Sequence, residues 1–270
     1  MDVKLRRRSS LSILGLLAAV ALLPVPAAAQ TGPGASPLLP PPGESRLSLS
    51  LFGGWASFSQ QPVNDMIRLE NLLLTAPADE GGAGLDKGLD QLTDGITFGA
   101  EVRYRLSPRW SVLAGFERLS DRTWLDFDFT FDPGTGPEEC SIEYEVDAWP
   151  IYAGMAYSFR FTERLTYMVG VAAVYFPSSR LYLAGESGSL PRIEEEGTAS
   201  GIGAALSWNG EMAIGGPLSV LGSIRLRLGR VGDPKDDDSG DTMTNLYTGD
   251  VLTIDWSGVD ILIGVTVDLF

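Results

Sequence analysis

Residues 95–119 read GITFGAEVRYRLSPRWSVLAGFERL. Ile96, Phe98, Val102, Tyr104 and Leu106 alternate with Thr97, Gly99, Glu101, Arg103 and Arg105. Successive side chains of a strand point to opposite faces, so this stretch predicts a strand with one apolar and one polar face. Ser107–Arg109 make a tight turn, and Trp110 to Leu119 form a second such strand, with Glu117 on the polar side. The stretch is a hairpin whose two faces meet different surroundings.

The same pattern recurs outward from this hairpin and predicts eight strands: 46–58, 95–107, 110–119, 147–159, 165–176, 200–214, 218–229 and 259 to the end. Pro150 interrupts the fourth, where a missing ladder donor predicts a bulge or register change. The connections alternate. Residues 60–94, 121–147, 177–199 and 230–256 are long, whereas 107–109, 160–164 and 215–217 are short. Long loops therefore gather at one end and tight turns at the other, the plan of an outer-membrane barrel with short periplasmic turns and long extracellular loops. The fold class expected is all-β, an eight-stranded antiparallel up-and-down transmembrane β-barrel spanning residues 45–270.

The residues before it predict export. Lys4, Arg6, Arg7 and Arg8 precede an apolar run from Leu11 to Leu23 and an A-x-A end at Ala27 and Ala29. This is the pattern of a cleaved signal peptide over residues 1–29, too short and too Pro-interrupted for a membrane anchor. Residues 30–44, TGPGASPLLPPPGE within them, read as a Pro/Gly-rich linker. Removing the signal takes away four basic residues and Asp2, a net +3, so the formal charge of −15 becomes about −18. That balance argues against nucleic acid as a partner.

Two absences narrow the chemistry. The chain has no His and one Cys. Nucleophile–His arrangements, most zinc sites and internal disulfides are thereby removed. No catalytic residue and no cofactor is expected, and the protein is read as a non-enzyme.

Charges fall opposite the apolar stripes. Glu101, Arg103, Arg105, Glu117, Glu211, Arg225 and Arg227 share the polar phase, with Asp260 and Asp268. Facing a narrow lumen, both signs can pair. Facing lipid at mid-bilayer, an Arg or Lys costs ~2–4 kcal/mol. Gly99, Gly115, Gly170, Gly201 and Gly203 on inner faces would make room for the long chains. Two aromatic bands are expected at the membrane interfaces: Trp55, Trp149, Tyr175 and Trp256 on the long-loop side, and Tyr104, Trp110, Tyr157 and Tyr167 on the tight-turn side.

Signal, eight strands, alternating loops, aromatic bands and the terminal DILIGVTVDLF (residues 260–270) resemble the small outer-membrane β-barrels of the OmpA and OmpW type. The resemblance implies that Phe270 serves as an assembly signal read by the outer-membrane assembly machinery. The chain departs from the family in phase: Val265, Val267 and Leu269 occupy the lipid-facing positions and Phe270 is offset by one.

Three functional readings follow. The first is a non-catalytic outer-membrane barrel with a structural or surface-interaction role through acidic extracellular loops, in contact with the bilayer and lipopolysaccharide. The second is a narrow channel or transporter for small, apolar molecules. The third is a soluble periplasmic lipocalin-like barrel that holds an apolar ligand. Divalent cations are weak candidates at Asp236, Asp237, Asp238 and Asp241, which read first as a solvated loop. Within the first long loop, residues 64–74 carry a helical repeat with Asn64 as the N-cap, read first as a loop helix packed on its neighbours, with folding over the barrel mouth or lying at the membrane surface as alternatives. LDFDFTF (residues 125–131) and CSIEYEV (140–146) read as strand extensions raised above the membrane, with Cys140 at the tip as an exposed or half-exposed thiol.

Overall fold

The computed structural model describes residues 46–77, 83–129, 136–188 and 190–269. The signal peptide, the linker and Phe270 lie outside them. The chain order is β1 (Leu47–Ser57), α1 (Gln61–Thr75), β2 (Asp94–Arg105), β3 (Trp110–Phe129), β4 (Glu138–Ala148), β5 (Ile151–Arg160), β6 (Leu165–Ser187), β7 (Leu190–Gly215), β8 (Leu218–Val231), β9 (Lys235–Asp236) and β10 (Gly258–Asp268). All pairings are antiparallel. β4 and β5 are two segments of one stave, and β9 is a short addition to the edge of β7. The remaining strands and that stave make a closed ring of eight, sealed where β1 pairs β10 with Leu51 opposite Val265 and Trp55 opposite Ile261.

Tight turns close the lower end, as the loop lengths predict. Gly216 in the β7–β8 turn has φ +55, a left-handed conformation that favours glycine. The apolar stripes face outward: Leu51, Phe98, Phe116, Met155, Val171, Leu206, Ile224 and Val265 are all exposed on the outside of the ring. The polar faces point in. This is the inverse of a lipocalin-like barrel, whose apolar residues would line the interior.

Pro150 acts differently from the expectation. The register against β3 runs through it unshifted, from Leu119 opposite Ala148 to Phe116 opposite Ile151. The ladder survives because the chain faces β3 there with a carbonyl: Glu117 N donates to Pro150 O. The extra residue sits across the stave in β6, between Phe176 and Ser179, where the pairing with β7 also shifts.

The strands continue well above the ring. β3 and β4 pair from Leu119 opposite Ala148 to Phe129 opposite Glu138, which forms the raised hairpin. Residues 177–199, expected as a long loop, instead extend β6 and β7 to Ser187 opposite Leu190. β4 pairs β6 as well, so a four-stranded sheet β3-β4-β6-β7 stands over one side of the barrel. Its charged outer face explains why the extension is hard to see: glutamate-rich stretches such as Glu194–Glu196 are poor strand formers alone. Here they are held by Arg192 to Glu194 at 2.5 Å and Arg180 to Glu196 at 3.3 Å.

Candidate functional site

Every inward charge in the ring lies near an opposite one. Arg225 on β8 donates to Glu117 on β3 at 2.5 Å, and its guanidinium lies 4.7 Å from the Tyr152 ring and 5.5 Å from the Phe52 ring. Two residues along β8, Arg227 reaches both oxygens of Asp260 at 2.7 and 2.6 Å, and its Nε donates to Trp256 O at 2.6 Å. The Arg227 and Asp260 side chains are fully enclosed, and Glu117 lies 3.8 Å from Arg227. Lower in the lumen, Arg103 pairs with Glu211 at 2.7 Å and lies 3.5 Å from Glu101. Thr266 adds a hydroxyl to Glu211 at 3.2 Å and shares a bond with Ser50 at 2.8 Å. Pairing with further hydrogen bonds is what permits ions in an enclosed interior.

Tyr152 links the two clusters. Its hydroxyl donates to Glu101 at 3.3 Å and sits 3.5 Å from Arg225 Nη2. Sequence reasoning did not single it out, although it alternates with the apolar Ile151, Ala153 and Met155. Gly115 supplies its space: a Cβ there would come 2.6 Å from the Tyr152 ring and hydroxyl. Gly99 meets the β3 backbone at Phe116 O and Glu117 Cα, with the Glu117 Cβ beside them. Gly201 and Gly203 serve a different purpose from the one expected, meeting the β8 backbone at Arg230 and Val231 and at Leu228 and Gly229, and Gly170 meets the Ser207 hydroxyl and not a charged side chain.

The outer aromatic positions divide. Tyr104, Trp110, Trp149 and Tyr175 are exposed, and Trp55, Tyr157 and Tyr167 are half-buried on the outer surface. Trp110 packs edge-on against Tyr157 at 5.1 Å, and Trp149 against Phe98 at 6.0 Å. Trp208, missed in the sequence, joins Phe159 and Tyr167 in this band. Trp256 is a correction: it is wholly buried, packs edge-on against Phe58 at 5.0 Å and donates to Ser179 Oγ at 3.0 Å. It precedes β10, in a descending segment whose alternate residues Leu252, Ile254 and Trp256 all turn into the upper mouth.

That mouth is capped. Val63, Met66 and Ile67 of α1 are fully buried in a core shared with Leu92, Leu119, Val146, Leu181 and Trp256. Asn64 is not the N-cap. The cap position is Gln60, with no side-chain bond, and Pro62 lies in the first turn. Asn64 is buried within the helix and clamps the Leu92 backbone, donating to its carbonyl at 2.9 Å and accepting its amide at 2.7 Å. Asn71 does the same to Leu89. Tyr144 of the raised sheet donates to Glu70. Burial nonetheless pushes the Glu70 carboxyl above its ordinary range, and burial together with the Glu70 charge raises the Tyr144 hydroxyl. Beside this lid, burial pushes the Asp121 carboxyl up to about 7, and the Asp94 carboxylate adds to the rise.

The carboxylates of the acidic run are held by the loop itself. Asp236 accepts the Ser239 amide at 2.6 Å, a bond that lowers its pKa, and Asp237 accepts the Thr198 hydroxyl at 3.0 Å. Asp241 contributes its backbone carbonyl to the Asp236 amide. These bonds fold the loop onto β7, and no three acidic, His or Cys side chains converge among the described residues. Cys140 is buried, not exposed, because the inner face of the raised sheet turns it toward the lid side.

No protein-family model matches the chain, and no curated protein matches it. Solved structures similar in fold include Neisserial surface protein A, at 11% identity and a TM-score of 0.41, covering 83% of this chain and 98% of that one. Ail, the attachment invasion locus protein of Yersinia pestis, gives 11% and 0.35 over 83% and 97%. The outer membrane protease OmpT from Escherichia coli gives 12% and 0.36 over 83% and 94%.

Proposed function

We propose that this chain is an integral outer-membrane β-barrel with a non-catalytic, structural or surface-interaction role. The observation that carries the reading is the outward apolar belt, present on every stave of the ring, around an interior of ion-paired charges. Soluble monomers rarely expose apolar patches beyond a few hundred Å². A closed barrel also satisfies every backbone group within the sheet, which a bilayer demands. The signal peptide over residues 1–29 would direct export, residues 30–44 would form an extended segment exposed on the periplasmic side, and Phe270 would serve assembly.

The raised sheet is the part that would meet partners. Its outer face carries a ladder of Arg122–Glu143, Arg180–Glu145 and Arg192–Glu194 pairs, and Asp126, Asp128, Glu186 and Glu196 beside them make carboxylates outnumber arginines. Such a face fits a cationic or divalent-bridged surface, lipopolysaccharide among them. The filled lumen and the α1 lid weigh against the channel reading. Membrane fractionation with gel mobility before and after boiling tests the proposal. Outer-membrane recovery with a boiling-dependent shift is the expected result, and a soluble protein without a shift would overturn it. In planar bilayers, no stable conductance is expected.

A further inference from the structure

The lower mouth of the lumen carries a concentration of positive charge that neither barrel closure nor membrane insertion requires. A cavity of about 100 Å³ opens between the tight turns. Arg46, Arg103, Arg105, Arg160 and Arg164 line it, against the three carboxylates of Glu163, Glu211 and Asp268. This excess of cations occurs in a chain whose formal charge is −15. The arginines come from the start of β1, two successive inward positions of β2, the end of β5 and the β5–β6 turn. Four separate places in the sequence thus bring guanidinium groups to one opening.

Their commitments differ. Arg103 is already held by Glu211 at 2.7 Å and Glu101 at 3.5 Å. Arg105 lies two residues further down the same face and is half-buried. Its neighbours include the like charges of Arg103 and Arg160 as well as Asp268 and Glu211. The rest of the lining is rich in hydroxyls, including Ser48, Ser111 and Ser158. Forked guanidinium donors with hydroxyls around a small polar cavity match a compact anion whose oxygens point in several directions.

We infer that this mouth is an oxyanion site, and that it takes a phosphate-type dianion. A tetrahedral anion with a hydration water fits the cavity, since each water takes about 30 Å³ of liquid volume. The acidic loops lie at the opposite end of the barrel, well beyond a Debye length of ~8 Å at physiological ionic strength, so their charge does not cancel this field. The anion is either a free phosphate group or the phosphomonoester of a lipid headgroup reaching over the strand ends. The inference rests on barrel closure and not on membrane location.

The test uses the full chain folded in maltoside detergent at low salt and titrated with inorganic phosphate by calorimetry, with sodium chloride as the ionic control. Saturable binding to one site is expected, weakened at least tenfold by the pair Arg105→Gln and Arg164→Gln. Arg109→Gln, at an exposed turn arginine that does not line the cavity, should leave binding unchanged. A boiling-dependent gel shift in each variant shows that the barrel is intact, which separates failure of the site from failure of the fold. No saturation, an equal response to chloride, or equal loss with Arg109→Gln would overturn the site. Nanodiscs with and without phosphatidic acid then identify the source: competition that depends on Arg105 assigns the lipid headgroup, and undiminished phosphate binding assigns the soluble anion.

Discussion

Strand β3 passes through two regions of opposite polarity without changing its pleat. From Trp110 to Glu117, the outward residues are Trp110, Val112, Ala114 and Phe116, and the inward ones include Ser111 and Glu117. From Arg122 to Phe129, the outward residues are Arg122, Trp124, Asp126 and Asp128, and the inward ones are Thr123, Leu125, Phe127 and Phe129. β6 makes the exchange on its outer face alone. Val169, Val171 and Ala173 face out below its bulge and Arg180 above it, whereas its inward positions stay apolar, with Met168, Val174 and Phe176 below and Leu181 and Leu183 above. The pleat fixes which side a residue takes, and the medium fixes which chemistry belongs there. The exchange near Arg118 is therefore the boundary that the proposed membrane placement predicts: an apolar exterior suited to lipid below it, and a charged exterior suited to water over a lid-covered apolar core above it.

The sharpest way to break this comparison is to remove an arginine below the boundary. Arg227→Ala leaves Asp260 enclosed without its bidentate partner, and unfolding in urea should show a loss of ~3–5 kcal/mol. Arg225→Ala, which deprives Glu117, should lose stability in the same range. An unchanged midpoint for both would mean that the lumen admits water and that these charges are not interior. Next in size is a charge placed outside the barrel. Val171→Arg at the middle of the belt should cost ~2–4 kcal/mol in a bilayer. Ala184→Arg, on the outer face of β6 above the boundary, should stay within about 0.5 kcal/mol. Equal costs at the two positions would place both in the same medium.

A pH measurement sharpens the upper region. With Asp121 pushed up to about 7, the folded state keeps its proton between about pH 4 and 7, where the unfolded chain has released it. Stability of the lid region is therefore full at the acid end of that window and falls as pH rises through 7. Amide exchange at Thr93 and Asp94 should quicken over that range, and Asp121→Asn should flatten the response. The same slope in the variant would assign the effect to another group, with Glu70 first in line because its carboxyl is also raised. The smallest expected effect is at the outer ladder. Arg122→Ala, which breaks the exposed 2.6 Å pair with Glu143, should cost only ~0.2–1 kcal/mol.

Much of the ring was legible because its alternation is strict where one face must be apolar. The strand phases put Glu117, Arg225, Arg227 and Asp260 on a common face. Their pairing was not legible, since Glu117 and Arg225 are 108 residues apart and meet only when the barrel closes. The raised β6–β7 hairpin was read as loop because both kinds of charge occupy its outer face, and their pairing exists only in the folded sheet. Trp256 was placed in the outer band from its position near a strand end. The loop before β10 turns inward under α1, and no local pattern separates an interface tryptophan from one that plugs a mouth.

The sequence by itself determined the number of staves, the phase of each, the end that carries the tight turns and the sign of every face. These follow from a period of two and from punctuation by Gly, Pro and short polar turns, both of which are local. Tertiary structure alone decided the partners of the interior ions, the lid role of α1, the burial of Trp256 and the gathering of five arginines at the lower mouth. Each of these depends on groups far apart in the chain that closure of β1 on β10 brings within a few ångströms, and distance in space is not written into local periodicity.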